Sequence, residues 1–233
     1  MAIGIIDRIA RRSLSPFAYE RLQDLKGELQ AMWVHRRGVR EARKRTWSQG
    51  ARLNIGCGPV VTPGYVRVDF CPGVDVRVDL RRPLPIPDGV ASVILCEHFL
   101  EHLRYPGQAS AFLRECHRLL EPGGRLFLSV PDTKWPMECY VHGRDDWQRV
   151  CKENRWHPKW VETTMEHLNY HFRQQDDSRS DGHFECHRYA YDADTLAKVL
   201  GSAGFERREE RSFDPAYDSE HRRIGSLFML AVK

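Results

Sequence analysis

From Arg52 onward, short runs of β-type residues alternate with helical ones. Arg52 to Ile55, Tyr65 to Phe70, Asp75 to Leu80, Ala91 to Cys96 and Gly124 to Val130 read as strands. Tyr105 to Leu120 reads as a helix, which Pro122, Gly123 and Gly124 stop and turn. After an aperiodic stretch the pattern resumes: Asp192 to Ala203 is a helix opened by an Asp cap and closed by Gly204, and Phe205 to Phe213 and Ser226 to Lys233 read as the last two strands. Such alternation predicts a parallel sheet with covering helices. Ahead of it, Leu22, Leu25, Leu29, Met32 and Trp33 recur at helical spacing and predict an amphipathic helix from about Pro16 to Val34.

Two segments stand apart from this core. Residues 1–49 form an amino-terminal helical segment rich in arginine (Arg8, Arg11, Arg12, Arg36, Arg37, Arg40, Arg43 and Arg45). One reading is a helix that caps the main domain. The other is a basic arm against an anionic membrane surface or substrate, with Ile3, Ile5, Ile6 and Ile9 dipping into the interface. A hydrophobic helix also offers a face to a second subunit, so a homo-oligomer stays open. Within the main domain, residues 50–233, the stretch from about 133 to 189 loses its periodicity and accumulates Trp135, Tyr140, Trp147, Trp156, Trp160, Tyr170, Phe172 and many histidines. It is too long for a bare loop and predicts a substrate-binding insertion with short helices.

At 233 residues, 41% hydrophobic and 29% charged, the chain has room for one folded domain and one active site. No run of about eighteen apolar residues occurs, and the first residues are not ordered as a signal peptide is, so a cytoplasmic location without a transmembrane segment is expected. Seven cysteines without a Cys-x-x-Cys pair fit reduced thiols. A net charge of +4 is too small to point to nucleic acid.

Leu53 to Pro59 carries an apolar strand straight into Gly56-Cys57-Gly58, where glycine allows positive φ and close approach of a ligand. The second strand ends in Asp69, placed to accept both hydroxyls of a ribose, the third in Asp79-Leu80, suited to an amide or adenine edge, and the fourth in Cys96-Glu97-His98. Open parallel sheets bind ligands beyond the carboxyl ends of their strands, where all these residues fall. Together with Ile86 to Ile94 and Leu119-Leu120-Glu121-Pro122-Gly123-Gly124, these segments resemble the successive motifs of class I S-adenosylmethionine-dependent methyltransferases. The resemblance implies an α/β, Rossmann-like, seven-stranded sheet with the last strand antiparallel and helices on both faces. It implies S-adenosyl-L-methionine as cofactor, held by Asn54, Gly56, Cys57, Gly58, Asp69, Asp79, Leu80, Glu97 and His98.

Asn54 stands where most of these enzymes carry an acid that contacts the methionine moiety, and Pro59 where a third glycine is common. Only Pro59 to Gly64 links the glycine turn to the second strand, so the usual crossover helix is reduced to a loop or replaced by the amino-terminal segment. This abbreviated form, with Glu-His-x-x-Glu-His after the fourth strand, resembles a subgroup associated with bacterial polysaccharide and glycolipid synthesis. That resemblance implies O-methylation of a carbohydrate or glycolipid acceptor.

A sugar hydroxyl must lose its proton, a task suited to histidine. The candidates for catalysis are His98, His102, Asp132 and His142. Glu97 and Glu101 with His98 and His102 form two pairs one turn apart, so the two histidines share a face if helical. Asp132 with insertion carboxylates (Glu166, Asp176, Asp177, Asp181, Glu185) is a weak candidate for Mg2+. His167 and His171 have the helical spacing of zinc ligands, and His183, Cys186 and His187 form another incomplete set. Arg144, Arg149, Arg155 and Arg173 are candidates for an acidic group on the acceptor. Competing readings are a methyltransferase of a small natural-product hydroxyl or amine and a non-catalytic scaffold of the same fold. A dinucleotide dehydrogenase lacks the third glycine and long following helix that hold a pyrophosphate.

Overall fold

The computed structural model describes residues 12–174 and 186–233. Ile3, Ile5, Ile6 and Ile9 therefore lie outside the described residues. Ser15 opens the first helix: its hydroxyl accepts the Ala18 N–H at 3.2 Å, and Pro16 follows at the first helical position. This helix, α1 (Pro16–Ala42), runs well past Val34, where the apolar spacing stops. Its buried face also differs from the expected one. Ala31, Val34, Gly38 and Ala42 turn inward, whereas Leu25, Leu29 and Trp33 are exposed. Small residues win because the helix crosses the sheet edge at backbone distance: a Cβ on Gly38 would lie 1.9 Å from the Arg77 carbonyl oxygen.

The strands are β1 (Ala51–Ile55), β2 (Val66–Asp69), β3 (Val76–Arg77), β4 (Ala91–Glu97), β5 (Leu120–Pro131), β6 (Arg207–Arg211) and β7 (Ser226–Val232). They form one seven-stranded sheet in the order β3-β2-β1-β4-β5-β7-β6. β1 to β5 run parallel, and β7 runs antiparallel to both β5 and β6. The Rossmann-like α/β architecture with an antiparallel last strand is thus present. β3 is shorter than the expected Asp75 to Leu80, because Asp79 turns the chain by accepting the Arg81 N–H at 3.0 Å on its side chain and the Arg82 N–H on its carbonyl.

Helix α2 (Gly107–Leu119) follows β4. The insertion then carries α3 (Lys134–Val141), α4 (Asp146–Glu153) and α5 (Thr164–Arg173), and α6 (Ala193–Ser202) precedes β6. α2 and α6 pack on each other and on β5, β6 and β7. They cover the sheet face that buries Leu53, Ile55, Ile94, Leu126 and Leu128 completely. Right-handed crossovers require the β1-to-β2 connection to pass over the opposite face. That connection is a loop, and the face, formed by Val93, Leu95, Phe127 and Leu230, is closed instead by Tyr65 and Tyr217. Tyr217 stacks on Phe127 with ring centroids 3.7 Å apart. Among the described residues, no helix is long and apolar enough to cross a membrane.

In an open helix interior, Gly→Ala stabilises by up to about 1 kcal/mol. At Gly38 the clash with Arg77 reverses the sign, and Gly38→Ala is expected to lower unfolding stability by about 1–3 kcal/mol in urea titrations. A stabilised variant would show that α1 does not meet β3 this closely.

Candidate active site

The chain leaves β1 for β2 on one side and arrives in β4 from β3 on the other, so the carboxyl ends of β1 and β4 flank the point where strand order reverses. A cavity of about 190 Å³ opens there. Asn54, Gly56, Cys57 and Gly58 line it from β1 and the turn after it, Glu97 and His98 from the end of β4, and Ser219, His221 and Arg222 from the β6–β7 connection. Gly56 has φ +77°, and a Cβ there would lie 2.5 Å from Phe99 Cγ, so both backbone and packing demand glycine. Gly58, at φ +54°, faces open space.

Hydrogen bonds hold the short β1–β2 link in place of a helix. Asp69 accepts the Gly58 N–H on Oδ2 and the Cys71 N–H on Oδ1, each at 2.8 Å, and so fastens the glycine turn to the end of β2. Asn54 Nδ2 donates to Thr62 Oγ1 at 2.8 Å across the same link. Glu97 accepts the Ser219 N–H at 2.9 Å and its hydroxyl at 2.7 Å, drawing the β6–β7 connection over the cleft. Asp79 is buried and committed elsewhere. Arg81 takes both its oxygens at 2.9 Å, Arg82 takes one at 3.3 Å, and Arg81 reaches Glu28 of α1 at 2.6 Å. Burial alone would raise the Asp79 pKa, but the Arg81 hydrogen bonds outweigh it and hold the carboxyl below its ordinary value. Neither Asp79 nor the buried Leu80 lines the cleft.

The edge beyond β4 is built around Glu101. His98 sits in the left-handed region at φ +49°, a conformation that non-glycine residues adopt at a cost. A 3-10 turn, Leu100–His102, follows. His98 Nδ1 lies 3.6 Å and His102 Nε2 3.9 Å from Glu101 Oε1, so the two histidines converge on one carboxyl rather than on one helix face. Glu101 is 1% exposed, and neither side-chain oxygen has a hydrogen-bond partner among the described residues. Burial raises its pKa to about 8. Burial first, and then Arg222 and the neighbouring imidazoles, drive His98 well below its ordinary value, so its ring is neutral. His98 Nε2 is 2.7 Å from Ser226 Oγ.

Backbone carbonyls fix the tautomers of three other rings. His102 Nδ1 faces the Cys186 carbonyl at 3.3 Å, His171 Nε2 the Asp132 carbonyl at 2.8 Å, and His187 Nδ1 the His171 carbonyl at 2.7 Å. Each of these nitrogens must carry the ring proton. His171 is thereby turned away from His167, and the helical pair expected for zinc does not share a ligand position. Glu101, His102 and His187 bring ligand atoms within 4.8 Å, as do Cys151, His157 and His167. Asp132 belongs to neither group; its Oδ1 accepts the Lys134 N–H, so Mg2+ donors are not gathered around it among the described residues. His142 is exposed at the end of α3 and does not line the cleft. Asp176, Asp177, Asp181, His183 and Glu185 lie outside the described residues. Arg144 pairs with Asp146 and Arg149 with Asp145. Ser219, His221 and Arg222 carry no local sequence signal and reach the cleft only through the fold.

An acid whose folded pKa is raised keeps its proton where the unfolded chain has lost it, so it lowers stability as pH rises through that window. For Glu101 the window runs from about 4.5 to about 8. Glu101→Gln is expected to flatten the fall of the urea midpoint across it, whereas parallel profiles for the two proteins would refute the buried, protonated carboxyl.

A methyltransferase-domain family model matches residues 49–210, well over half of the chain. A probable S-adenosylmethionine-dependent methyltransferase of Mycolicibacterium smegmatis is 37% identical over 71 residues, 30% of this chain and 26% of that protein. An uncharacterized 37.1 kDa protein in transposon TN4556 of Streptomyces fradiae is 36% identical over 66 residues, 28% of this chain and 18% of that protein. The matched stretches thus span about a quarter or less of these relatives. Similar solved structures include S-adenosylmethionine-dependent methyltransferases from Archaeoglobus fulgidus (16% identity, TM-score 0.45, 84% of this chain and 92% of that one) and from Mesorhizobium loti (14%, 0.46, 84% and 95%). With the family match added to the glycine turn at the switch point and the antiparallel seventh strand, the chain belongs to the class I S-adenosylmethionine-dependent methyltransferases.

Proposed function

We propose that this methyltransferase acts on a hydroxyl of a sugar, oligosaccharide or glycolipid, with His98 as general base. The cofactor, when bound, supplies a methyl group already activated on a sulfonium, so the protein's part is to align the acceptor and remove its proton. The cleft residues fit the cofactor. Gly56 and Gly58 leave a cradle without side chains, Asp69 braces that cradle from outside the lining, Glu97 lines the wall with its carboxylate bound to Ser219, and Arg222 presents a cation where Asn54 replaces the more usual acid. The observation that carries the reading is His98 itself, a neutral imidazole held in a left-handed conformation on the cleft wall between Glu101 and Ser226. Its Nε2 takes the acceptor proton while Nδ1 keeps the ring proton on the Glu101 side, 3.6 Å from a carboxyl whose ionised form balances the charge that develops on the ring.

Exposed rings support a carbohydrate acceptor. Trp160 and Tyr140 stand about half exposed on the insertion, open to stack on a sugar face. Support for a lipid-linked acceptor comes from α1, where Phe17, Leu25, Leu29 and Trp33 are exposed, with Arg21 over the Phe17 ring and Arg37 over the Trp33 ring. Apolar and basic groups on one helix suit an anionic membrane surface.

Titration calorimetry with S-adenosylmethionine should give binding that Asp69→Ala abolishes, because the glycine turn loses its fastening; equal affinity in the variant would remove Asp69 from the site. The acceptor is sought by turnover assays over mannosides, glucosides, glycolipids and natural-product hydroxyls and amines. His98→Asn tolerates the left-handed backbone but removes the base. It is expected to keep cofactor affinity and lose on the order of 100-fold or more in kcat. Full turnover by the variant, or a natural-product amine as the sole acceptor, would sink this reading.

A further inference from the structure

The insertion holds a group of side chains that methyl transfer leaves unused. Cys151 near the end of α4, His157 in the loop that follows and His167 in α5 bring one ligand atom each to within 4.8 Å of one another. Cys151 and His167 are fully buried and His157 is half-buried. Local structure sets this up. Thr163 and Glu166 form a reciprocal capping box that fixes the start of α5 and turns His167 inward beside Leu168 and Tyr170. Arg155, in the left-handed region at φ +54°, reverses the chain after α4 and carries His157 back toward Cys151. The Trp147 ring closes the group edge-on, 5.3 Å from His157 and 5.7 Å from His167.

Two features distinguish this cluster from an ordinary hydrogen-bonded histidine pair. The two Nδ1 atoms face each other at 2.8 Å, yet Nε2 of His167 is buried with no hydrogen-bond partner among the described residues. Buried ring nitrogens are ordinarily satisfied, so this one lacks a counterpart. A thiol converges on the same point and contributes nothing to a histidine pair.

We propose that Cys151, His157 and His167 bind a zinc-type divalent ion, with the fourth tetrahedral position left to solvent at the half-buried His157 side. One thiolate and two imidazoles form a donor set for zinc or cobalt rather than for magnesium or calcium. Coordination replaces the Cys151 S–H bond with a metal–sulfur bond and releases that proton to solvent, with no change in oxidation state. The ion joins α4, its following loop and α5, and so clasps the insertion independently of which acceptor is methylated.

The full chain, stripped of metal by a chelator, is titrated with zinc chloride, and with cobalt chloride for its spectrum. About one ion per chain is expected, and the cobalt form should show tetrahedral d–d bands with a thiolate-to-metal charge-transfer band. Cys151→Ser should abolish the charge-transfer band. His157→Ala should weaken zinc binding at least about 100-fold, the upper end of what losing a mere supporting group costs. Binding of S-adenosylmethionine by each variant reports that the cleft is still folded. Wild-type protein that takes up no zinc, lacks the charge-transfer band, or binds an ion indifferent to both substitutions overturns the proposal.

Discussion

Burial of the Glu101 side chain is the constraint on which the edge beyond β4 depends. Its carboxyl is shielded from water beneath the sheet edge, and its own carbonyl accepts the N–H groups of Arg188 at 2.6 Å and Tyr189 at 3.2 Å, where the chain returns from the insertion. One residue therefore joins the end of β4, the return of the insertion and two histidines. A charged carboxylate without hydrogen bonds would be costly at that depth, and the carboxyl answers by holding its proton into the neutral range. Near neutrality the His98 ring is neutral while Glu101 is close to its titration point.

The second organising feature is the brevity of the β1–β2 link. With no crossover helix to position the glycine turn, the turn is secured by side chains: Asp69 to Gly58 and Cys71, and Asn54 to Thr62. The residue that departs from the family pattern, Asn54, is thereby explained as a structural tie across the link. The same economy leaves one face of the sheet to be closed by aromatic rings, with Arg211 above Phe127 at 5.1 Å.

Much of the fold was legible because its signals are local. Strands showed as apolar runs ending in glycine or acid, and the Gly-x-Gly turn, Glu97 and His98 lie in the cleft. The inward face of α1 was not legible, since its conspicuous stripe of Leu25, Leu29 and Trp33 points outward and the decisive contact is with the backbone of Arg77, remote in sequence. Spacing marked Glu101 only as a helical partner of Glu97. A 3-10 turn instead of an α-helix, together with a left-handed His98, is what places it between two imidazoles. The spacing of His167 and His171 suggested shared ligation, which the Asp132 carbonyl prevents by capturing His171. Arg222 belongs to the cleft through long-range return of the chain, which no local pattern encodes.

The close passage of α1 over β3 also bears on how open the edges of the sheet are to pairing with another chain. An open sheet has two edges, each a row of backbone groups able to pair with another chain. At β3 the helix packs near enough that only glycine fits at position 38, leaving little room for an incoming strand. At the opposite edge no helix is needed. β6 reads Arg-Arg-Glu-Glu-Arg and meets a prospective partner with charge on both faces. One edge is blocked by shape and the other by electrostatics, so a mutation that loosens α1 would uncover the edge that has only two strand residues and no such charged run to protect it.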